Sequence, residues 1–480
     1  MLYNELKKLY YANMNVQFKL VFHTSLLNFP KDMLNCIAGE IPYQWIFPAN
    51  VFYELELLKK SKLFGGKAEY VLALAKNKKA FQQNGKPVVF SNIEDFYDQQ
   101  GSLTGLAASQ NEKFIFIFGS QLKLMEFLTY VPNNENYFVF FHNRWSHNKA
   151  TSEDAIVKVE NAKKWIPLMD CERYTKNVVA ATREFRKINR DKQIILKNIQ
   201  GEVIGKYHIS NNIGGGGEAN IFTTADNNNI LLKIFKEKLS RNHLSKIINL
   251  IKFSEVNHLE HYMANVIFPQ NLLYEGDEPI GISLRKVNGC SLREMVIDPE
   301  MKFDLVEMIH DLAVTILELN LCHMLVADLD MDNLMLNSHG KVCLIDTDSF
   351  QYMHYGSGIL IRPDYRHKEL VYNNKNILYK PKHQDFSFSV LLFKMLVCGT
   401  GSPLYQVGAS EASEKNQLFW GCGFDFPYKE YPYGTIKVPE EYFENWKGLP
   451  EILQRAFLDV FHFRRTFSIG HMVHVFDEAL

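Results

Sequence analysis

The sequence predicts a two-part chain: an α/β first domain on a parallel sheet, then an α+β part in which a small antiparallel sheet precedes a mostly helical region. Three observations predict it. Residues 1–146 alternate strand-like and helix-like runs, a charged stretch over 147–199 reads as a helical linker, and residues 200–480 are first β-rich and then helical. A chain of 480 residues is also too long for one ordinary core.

In the first domain the runs "FKLVFHTSLLNFP", "QWIFPANVFYELELLKKSK" and "GSLTGLAASQNEKFIFIFGSQLKLMEFL" set the alternation. The linker contains "ENAKKWIPLMDCERYTKNVVAATREFRKINRDKQ", which lacks the dense apolar runs on either side. Beyond it, "QIILKNIQGEVIGKYHI" and "NIFTTADNNNILLKIF" alternate apolar and polar residues as antiparallel strands do, with "ADNNNI" as a polar turn. Leu244, Ile247, Ile248 and Ile251 then have the spacing of an amphipathic helix, as do Leu305, Met308, Ile309, Leu312, Ile316 and Leu319.

A hydrophobic content of 46% and a charged content of 22% are those of a globular protein, and the net charge of -1 gives no general attraction to nucleic acid or membrane. No apolar run approaches membrane-span length, and "MLYNELKKLYY" lacks the apolar region of a signal peptide. Seven scattered cysteines with no CxxC pair fit reduced thiols. A soluble cytoplasmic chain is expected.

The chemistry concentrates in the second part. "VADLDMDNLMLNSHGKVCLIDTDSF" holds five aspartates, Asp328, Asp330, Asp332, Asp346 and Asp348, whose mutual repulsion calls for a cation among them. Asp328 and Asn333 precede the strand-like "LML", and the strand "KVCLI" ends at Asp346, so a hairpin presents oxygen ligands suited to a hard ion such as Mg2+. Upstream, "NIGGGGEANIF" puts Gly214, Gly215, Gly216 and Gly217 between strands, where bare backbone N–H groups can approach a phosphate. Lys233, inside the apolar strand "ILLKIF", needs an anionic partner.

Glycine loop, strand lysine, D-x-x-x-x-N and an aspartate at a strand end, in this order, resemble the protein kinase superfamily. Within it, "IGGGGEANIF", "DLDMDN" and "LIDTDSFQ" are similar to bacterial kinase-like domains of the tellurite-resistance type, which are often encoded beside von Willebrand A domain proteins and metal-dependent phosphatases. "RPDYRHKEL", "HQDFSFSVLLFKML", "GTGSPLY" and "FRRTFSIGHMV" resemble the later landmarks. The resemblance implies a bilobal kinase-like fold, with a small lobe over about 200–288 and a large lobe over 289–480.

Carried over residue by residue, it implies that Asp328 orients the acceptor hydroxyl, Asn333 and Asp346 hold Mg2+, and Lys233 contacts the α- and β-phosphates of ATP. The loop glycines would cover the phosphates, and Ile221, Leu231 and Met335 would sandwich the base. Leu284 would be the gatekeeper, with the backbone of Arg285 and Val287 at the adenine edge. Asp385 would anchor the catalytic loop and Glu369 the activation segment. Four departures stand out: Asp348 follows Asp346-Thr347, Asp330 faces where a lysine is usual, Ala327 replaces an arginine, and Ala219 replaces a glycine. The helix partner of Lys233 is unassigned, with Glu255 and Glu260 within reach and Glu237 too near in sequence.

The first domain resembles a PIN domain, a metal-dependent nuclease fold, in degenerate form. His23 stands for the first acid, Glu54 is kept, and Ser102 and Ser120 fall where the other acids would be. One carboxylate cannot hold a metal pair, so a non-catalytic domain binding RNA or a protein is expected. The implied function is an ATP- and Mg2+-dependent serine/threonine protein kinase acting on itself or a partner, with a von Willebrand A domain protein and a phosphatase among the partners. A nucleotide-holding pseudokinase scaffold and an AMP-transferring enzyme are the alternatives.

Overall fold

A computed structural model describes chiefly residues 18–29, 44–76, 113–130, 193–298, 303–352, 363–370, 379–401 and 438–480, with short strands between them. The first sheet has the order β3-β2-β1-β4-β5-β6. Its strands are β1 (Phe18–Val21), β2 (Gln44–Pro48), β3 (Val89–Ser91), β4 (Lys113–Phe118), β5 (Tyr137–His142) and β6 (Ile156–Lys158). The pairings among β1 to β5 are parallel and β6 joins antiparallel. Helices α1 (Ala49–Leu58), α2 (Gly65–Lys76) and α3 (Gln121–Tyr130) accompany it. Phenylalanines such as Phe114, Phe116 and Phe118 are fully buried, as expected of strands covered on both faces.

The second sheet corrects the expected fold class. Strands β7 (Gln193–Lys197), β8 (Val203–Gly215), β9 (Ala219–Thr224), β10 (Ile230–Phe235), β11 (Pro269–Glu275) and β12 (Glu278–Arg285) close into an antiparallel barrel. A closed six-stranded barrel is not how a bilobal kinase-like fold is built, and the expected small lobe is overturned by it. Closure comes from β7, which pairs with β8 on one side and β11 on the other. Alternate residues Ile194, Leu196, Phe222, Leu232, Ile234 and Leu273 fill the interior. Strands β6 and β7 both fall within the segment 147–199 expected to be a helical linker; the remainder of that segment, apart from the residues flanking these strands, lies outside the described residues.

The helical part contributes α4 (Arg241–Val256), α5 (Leu292–Ile297), α6 (Leu305–Leu321), α7 (Pro381–Phe393), α8 (Glu440–Gly448), α9 (Glu451–Phe461) and α10 (Ile469–Glu478). Between them lie the strands β13 (Gly289–Ser291), β14 (Met324–Leu325), β15 (Leu334–Asn337), β16 (Val342–Leu344) and β17 (Gln351–Tyr352). Its apolar faces share one core with the first sheet, joining Phe22, Phe47 and Leu58 to Leu312, Phe457 and Phe476. Among the described residues no helix is long and apolar enough to cross a membrane.

Candidate functional site

Strand parity explains why a lysine sits in an apolar run. Leu232 and Ile234 point into the barrel, so Leu231, Lys233 and Phe235 point out, toward α4 and the following hairpin. The cross-strand partners of Lys233 are Ile221 and Ile282, which therefore share this face, as do Leu231 and its partner Leu284. Val287 and Ile345 pack against the same apolar cluster. Ile221 and Leu231, expected to sandwich the base, and Leu284, the expected gatekeeper, thus share a face with the expected phosphate lysine. Arg285 is exposed and its guanidinium bonds the Ala264 carbonyl, while Met335, on β15 between buried Leu334 and Leu336, is half-buried.

Of the four loop glycines, only Gly215 is required by its neighbours. A Cβ there would meet Asn220 Oδ1 at 2.8 Å and the Ala219 carbonyl at 2.9 Å, whereas at Gly214, Gly216 and Gly217 it would meet nothing within 4 Å. Asn212 Oδ1 accepts from the Gly214 N–H at 3.0 Å, and the Gly216 N–H donates to Ala219 O at 3.0 Å.

The buried Lys233 ammonium donates to Asp346 and, at 2.7 and 2.8 Å, to both oxygens of Asp348. Burial pulls the Lys233 pKa down, but Asp348 and then Asp346 outweigh it and raise it. Burial pushes the Asp348 carboxyl up, but Lys233 outweighs it and holds it below the usual range. Neither Glu255 nor Glu260 is the partner: Glu255 is exposed at the end of α4, and Glu260 accepts from Gln270. The unusual Asp348 takes that part.

Asp346 has φ 64°, a left-handed conformation rare outside glycine and characteristic of constrained sites. The Ile345 N–H donates to the Asn333 carbonyl at 3.0 Å, bringing Asn333 beside Asp346. The Asn333 amide nitrogen donates at 2.9 Å to Asp328, at both its carbonyl and its carboxylate. The amide oxygen of Asn333 is then left for a cation, so Asn333 and Asp346 fit the chemistry of a Mg2+ pair.

Asp330 is buried rather than aimed at a phosphate: its carboxylate caps the turn Met331–Asn333 by accepting from Asp332 N at 2.9 Å. Arg293 lies 3.8 Å from Asp330 and 2.5 Å from Asp332. The side chain that ties down the segment before Asp328 is one residue away from the expected Asp385. Gln384 Oε1 accepts from Val326 N at 2.7 Å, and its amide donates to Asn320 Oδ1 at 2.9 Å. Asp385 instead accepts from Ile469 N at 3.4 Å, and burial, against the pull of Lys123, raises its pKa to about 8.

Sequence reasoning missed Gln384, His243 and Lys246; the latter two lie on the apolar face of α4, where a buried lysine at helical spacing was the available signal. Burial lowers His243 to about 4 and Lys246 to about 8, in each case against the opposing field of Asp348.

Two other places bear on ligand binding. His367, Glu369 and His383 bring ligand atoms within 4.8 Å of one another. His383 Nδ1, however, accepts from Lys380 N at 3.1 Å, so Nε2 carries the proton facing Glu369 Oε2 at 3.1 Å and has no lone pair for a metal. Glu369 also pairs with Lys380 and Lys382, and the cluster is an ion-pair knot. A depression of about 440 Å3, lined by Ile251, Ser254, His258 and Pro269 among others, contains none of the residues around Lys233.

In the first sheet the strand order reverses at β1 and β4, whose C-terminal ends are where a parallel sheet binds ligands. That crevice is filled. Ser25 Oγ accepts from Gly119 N at 2.9 Å, and the Asn28 amide donates to Gly119 O at 2.8 Å and Leu321 O at 3.1 Å. His23 Nδ1 is 2.7 Å from Ser25 Oγ, Ser120 is buried, and Ser102 lies outside the described residues. Glu54 is buried, accepts from Thr24, and abuts Gly470, where a Cβ would lie 2.9 Å from its Cγ. No protein-family model and no curated protein matches this chain.

Proposed function

We propose that the chain binds ATP with Mg2+ and transfers the γ-phosphoryl to a serine or threonine hydroxyl, on itself or on a protein partner. The observation that carries this is the convergence of Lys233, Asp346, Asp348, Asn333 and Asp328 from a barrel strand and a hairpin into one hydrogen-bonded group, with the glycine loop entering the strand beside Lys233. Asn333 and Asp346 would hold Mg2+, which would supply neutralisation of the phosphate charge. Asp328, fixed at 2.9 Å by Asn333, would accept the hydroxyl proton. Gln384 keeps the backbone two residues before Asp328 in place. The apolar Ile221, Leu231, Val287 and Met335 supply surfaces for a base. Motif order is the support for kinship with kinase-like domains of the tellurite-resistance type, and a von Willebrand A domain protein or phosphatase as partner rests on that kinship. Among its described residues the first domain shows no carboxylate set, and its sheet crevice is filled, so we assign it support of the helical part instead of RNA cleavage.

One observation favours a second reading, a scaffold that holds nucleotide without transfer. Lys233 is already neutralised by both Asp346 and Asp348, one of which the metal would need. Purified protein with Mg2+ and ATP labelled in parallel at the γ- and α-phosphates separates the readings, beside Asp328→Asn and Asp346→Asn. Label from γ alone, abolished by both substitutions, is the expected result. Label from α supports AMP transfer, and ATP-dependent thermal stabilisation without either label supports the scaffold.

A further inference from the structure

We infer that Glu126 and Asn28 of the first domain are positioning residues for Asp328, which makes that domain a built-in clamp on the segment expected to meet the acceptor hydroxyl; this rests on the phosphotransfer reading above. Residues 326–330 belong to neither helix nor strand, so the place of Asp328 is set by the elements around it. Those are α6, which runs into this segment through β14, and α7, whose Gln384 accepts from Val326 N at 2.7 Å and donates to Asn320 Oδ1 at 2.9 Å. At one end of each helix a backbone group is satisfied from the first domain. On α6 it is the carbonyl of the last residue, Leu321, which accepts from the Asn28 amide at 3.1 Å. On α7 it is the N–H of Lys382, which donates to Glu126 Oε1 at 2.9 Å.

The start of α7 cannot supply that acceptor itself. Its N-cap residue is Lys380, whose side chain only donates, and Pro381 has no N–H, so Lys382 N is the first donor of the helix. Glu126, on α3, stands where an N-cap aspartate or serine would, with its charge at the positive end of the helix. Its other oxygen faces Lys123 at 3.6 Å. Asn28 is a fixed post: it is buried, its amide also donates to Gly119 O at 2.8 Å, and a Cβ at Gly119 would strike the Ser25 carbonyl. Both anchors sit at the end of β4, because Gly119 follows that strand and α3 begins two residues later. The first domain thus holds α6 and α7 from one corner, and Gln384 closes the ring between them. The crevice that a parallel sheet offers to ligands is spent here on holding the segment before Asp328. Misplacement of a reacting group by roughly 1 Å costs on the order of a hundredfold in rate, which is what such a ring would prevent.

The full-length protein and its Glu126→Ala, Glu126→Gln, Asn28→Ala and His474→Ala variants would be compared by steady-state transfer of γ-label from ATP with Mg2+, by melting, and by amide hydrogen exchange of the segment 322–329. Glu126→Ala and Asn28→Ala are expected to lower kcat by about tenfold and leave the KM for ATP within about twofold, because Lys233 and its barrel face lie outside the ring. Exchange of the segment is expected to quicken by about tenfold in both. Glu126→Gln keeps an oxygen for Lys382 N and is expected to restore kcat and exchange. His474→Ala loosens the same domain contact at the Tyr53 stack, away from the ring, and is expected to lower the melting temperature with kcat unchanged. Unchanged kcat and exchange in Glu126→Ala and Asn28→Ala overturn the clamp and leave phosphotransfer standing. So does a fall in Glu126→Gln as deep as in Glu126→Ala. A kcat that follows the melting temperature through all four variants, His474→Ala included, makes the contacts structural only and also overturns the clamp. A wild type that transfers no γ-label overturns the phosphotransfer reading and the positioning role together.

Discussion

The ammonium of Lys233 lies 2.7 Å from Asp348 Oδ1, so a carboxylate two residues beyond Asp346, and not a helix glutamate, holds the strand lysine. The pairing joins β10 to the turn after β16, and with it the barrel to the hairpin.

Breaking that pair is expected to cost on the order of 3 kcal/mol in Asp348→Ala, because Lys233 then keeps only Asp346. The double variant Lys233→Met/Asp348→Leu is expected to be more stable than Asp348→Ala. Denaturant midpoints measure both. Since the folded Asp348 carboxyl is held below its usual range, its contribution is present above the unfolded value near ~3.9 and is lost as pH falls through the folded value. The deficit of Asp348→Ala is therefore expected to shrink in acid.

Gln384→Leu removes the acceptor of the Val326 N–H and is expected to cost about 1–3 kcal/mol, with a fall in phosphoryl transfer. Asp385→Asn leaves that bond intact and is expected to retain transfer. Labelled-ATP turnover with melting curves separates the two neighbours.

Asp385 sets a second pH dependence of opposite sign. Its pKa of about 8 in the folded chain lies above the unfolded value near ~3.9. The folded state thus binds more protons than the unfolded one across that interval, and stability falls as pH rises through it. Lys123, Glu126 and Glu54 face the same buried carboxyl. Asp385→Asn is expected to flatten the decline, read as denaturation midpoints at pH values of about 5.5 and 8.

The glycine loop divides into a structural and an open part. Gly215→Ala forces a contact on the β8–β9 hairpin and is expected to destabilise by about 1–3 kcal/mol. Gly216→Ala and Gly217→Ala meet nothing and are expected to leave the melting temperature unchanged while weakening ATP, measured by calorimetry in parallel.

The sequence carried the local parts of the site well. Alternation in "ILLKIF" fixes which way Lys233 faces, and the five-residue interval from Asp328 to Asn333 fits the turn that lets one hydrogen-bond the other. Non-local parts were beyond it. Barrel closure depends on β7 meeting β11, far along the chain, and alternation says which face is buried but not against which strand. On α7 a one-residue step turns a side chain by roughly 100°, so Gln384 and Asp385 differ in destination although both look like polar anchors. Lys246 was hidden for a related reason: spacing places it on the apolar face of α4, but only the fold shows what that face looks onto.

The packing of Gly470 on Glu54 has a consequence for how the chain is inherited and dissected. The helix α10 ends the chain's second part yet lies against α1 of the first, with Tyr53 and His474 stacked at 3.9 Å. Neither part owns its own boundary. A chain begun at residue 190 would lay bare the apolar flank that α1 covers, and its insolubility would say nothing about whether the cleft is an enzyme. The shared core couples the two halves, and change in either is constrained by the other.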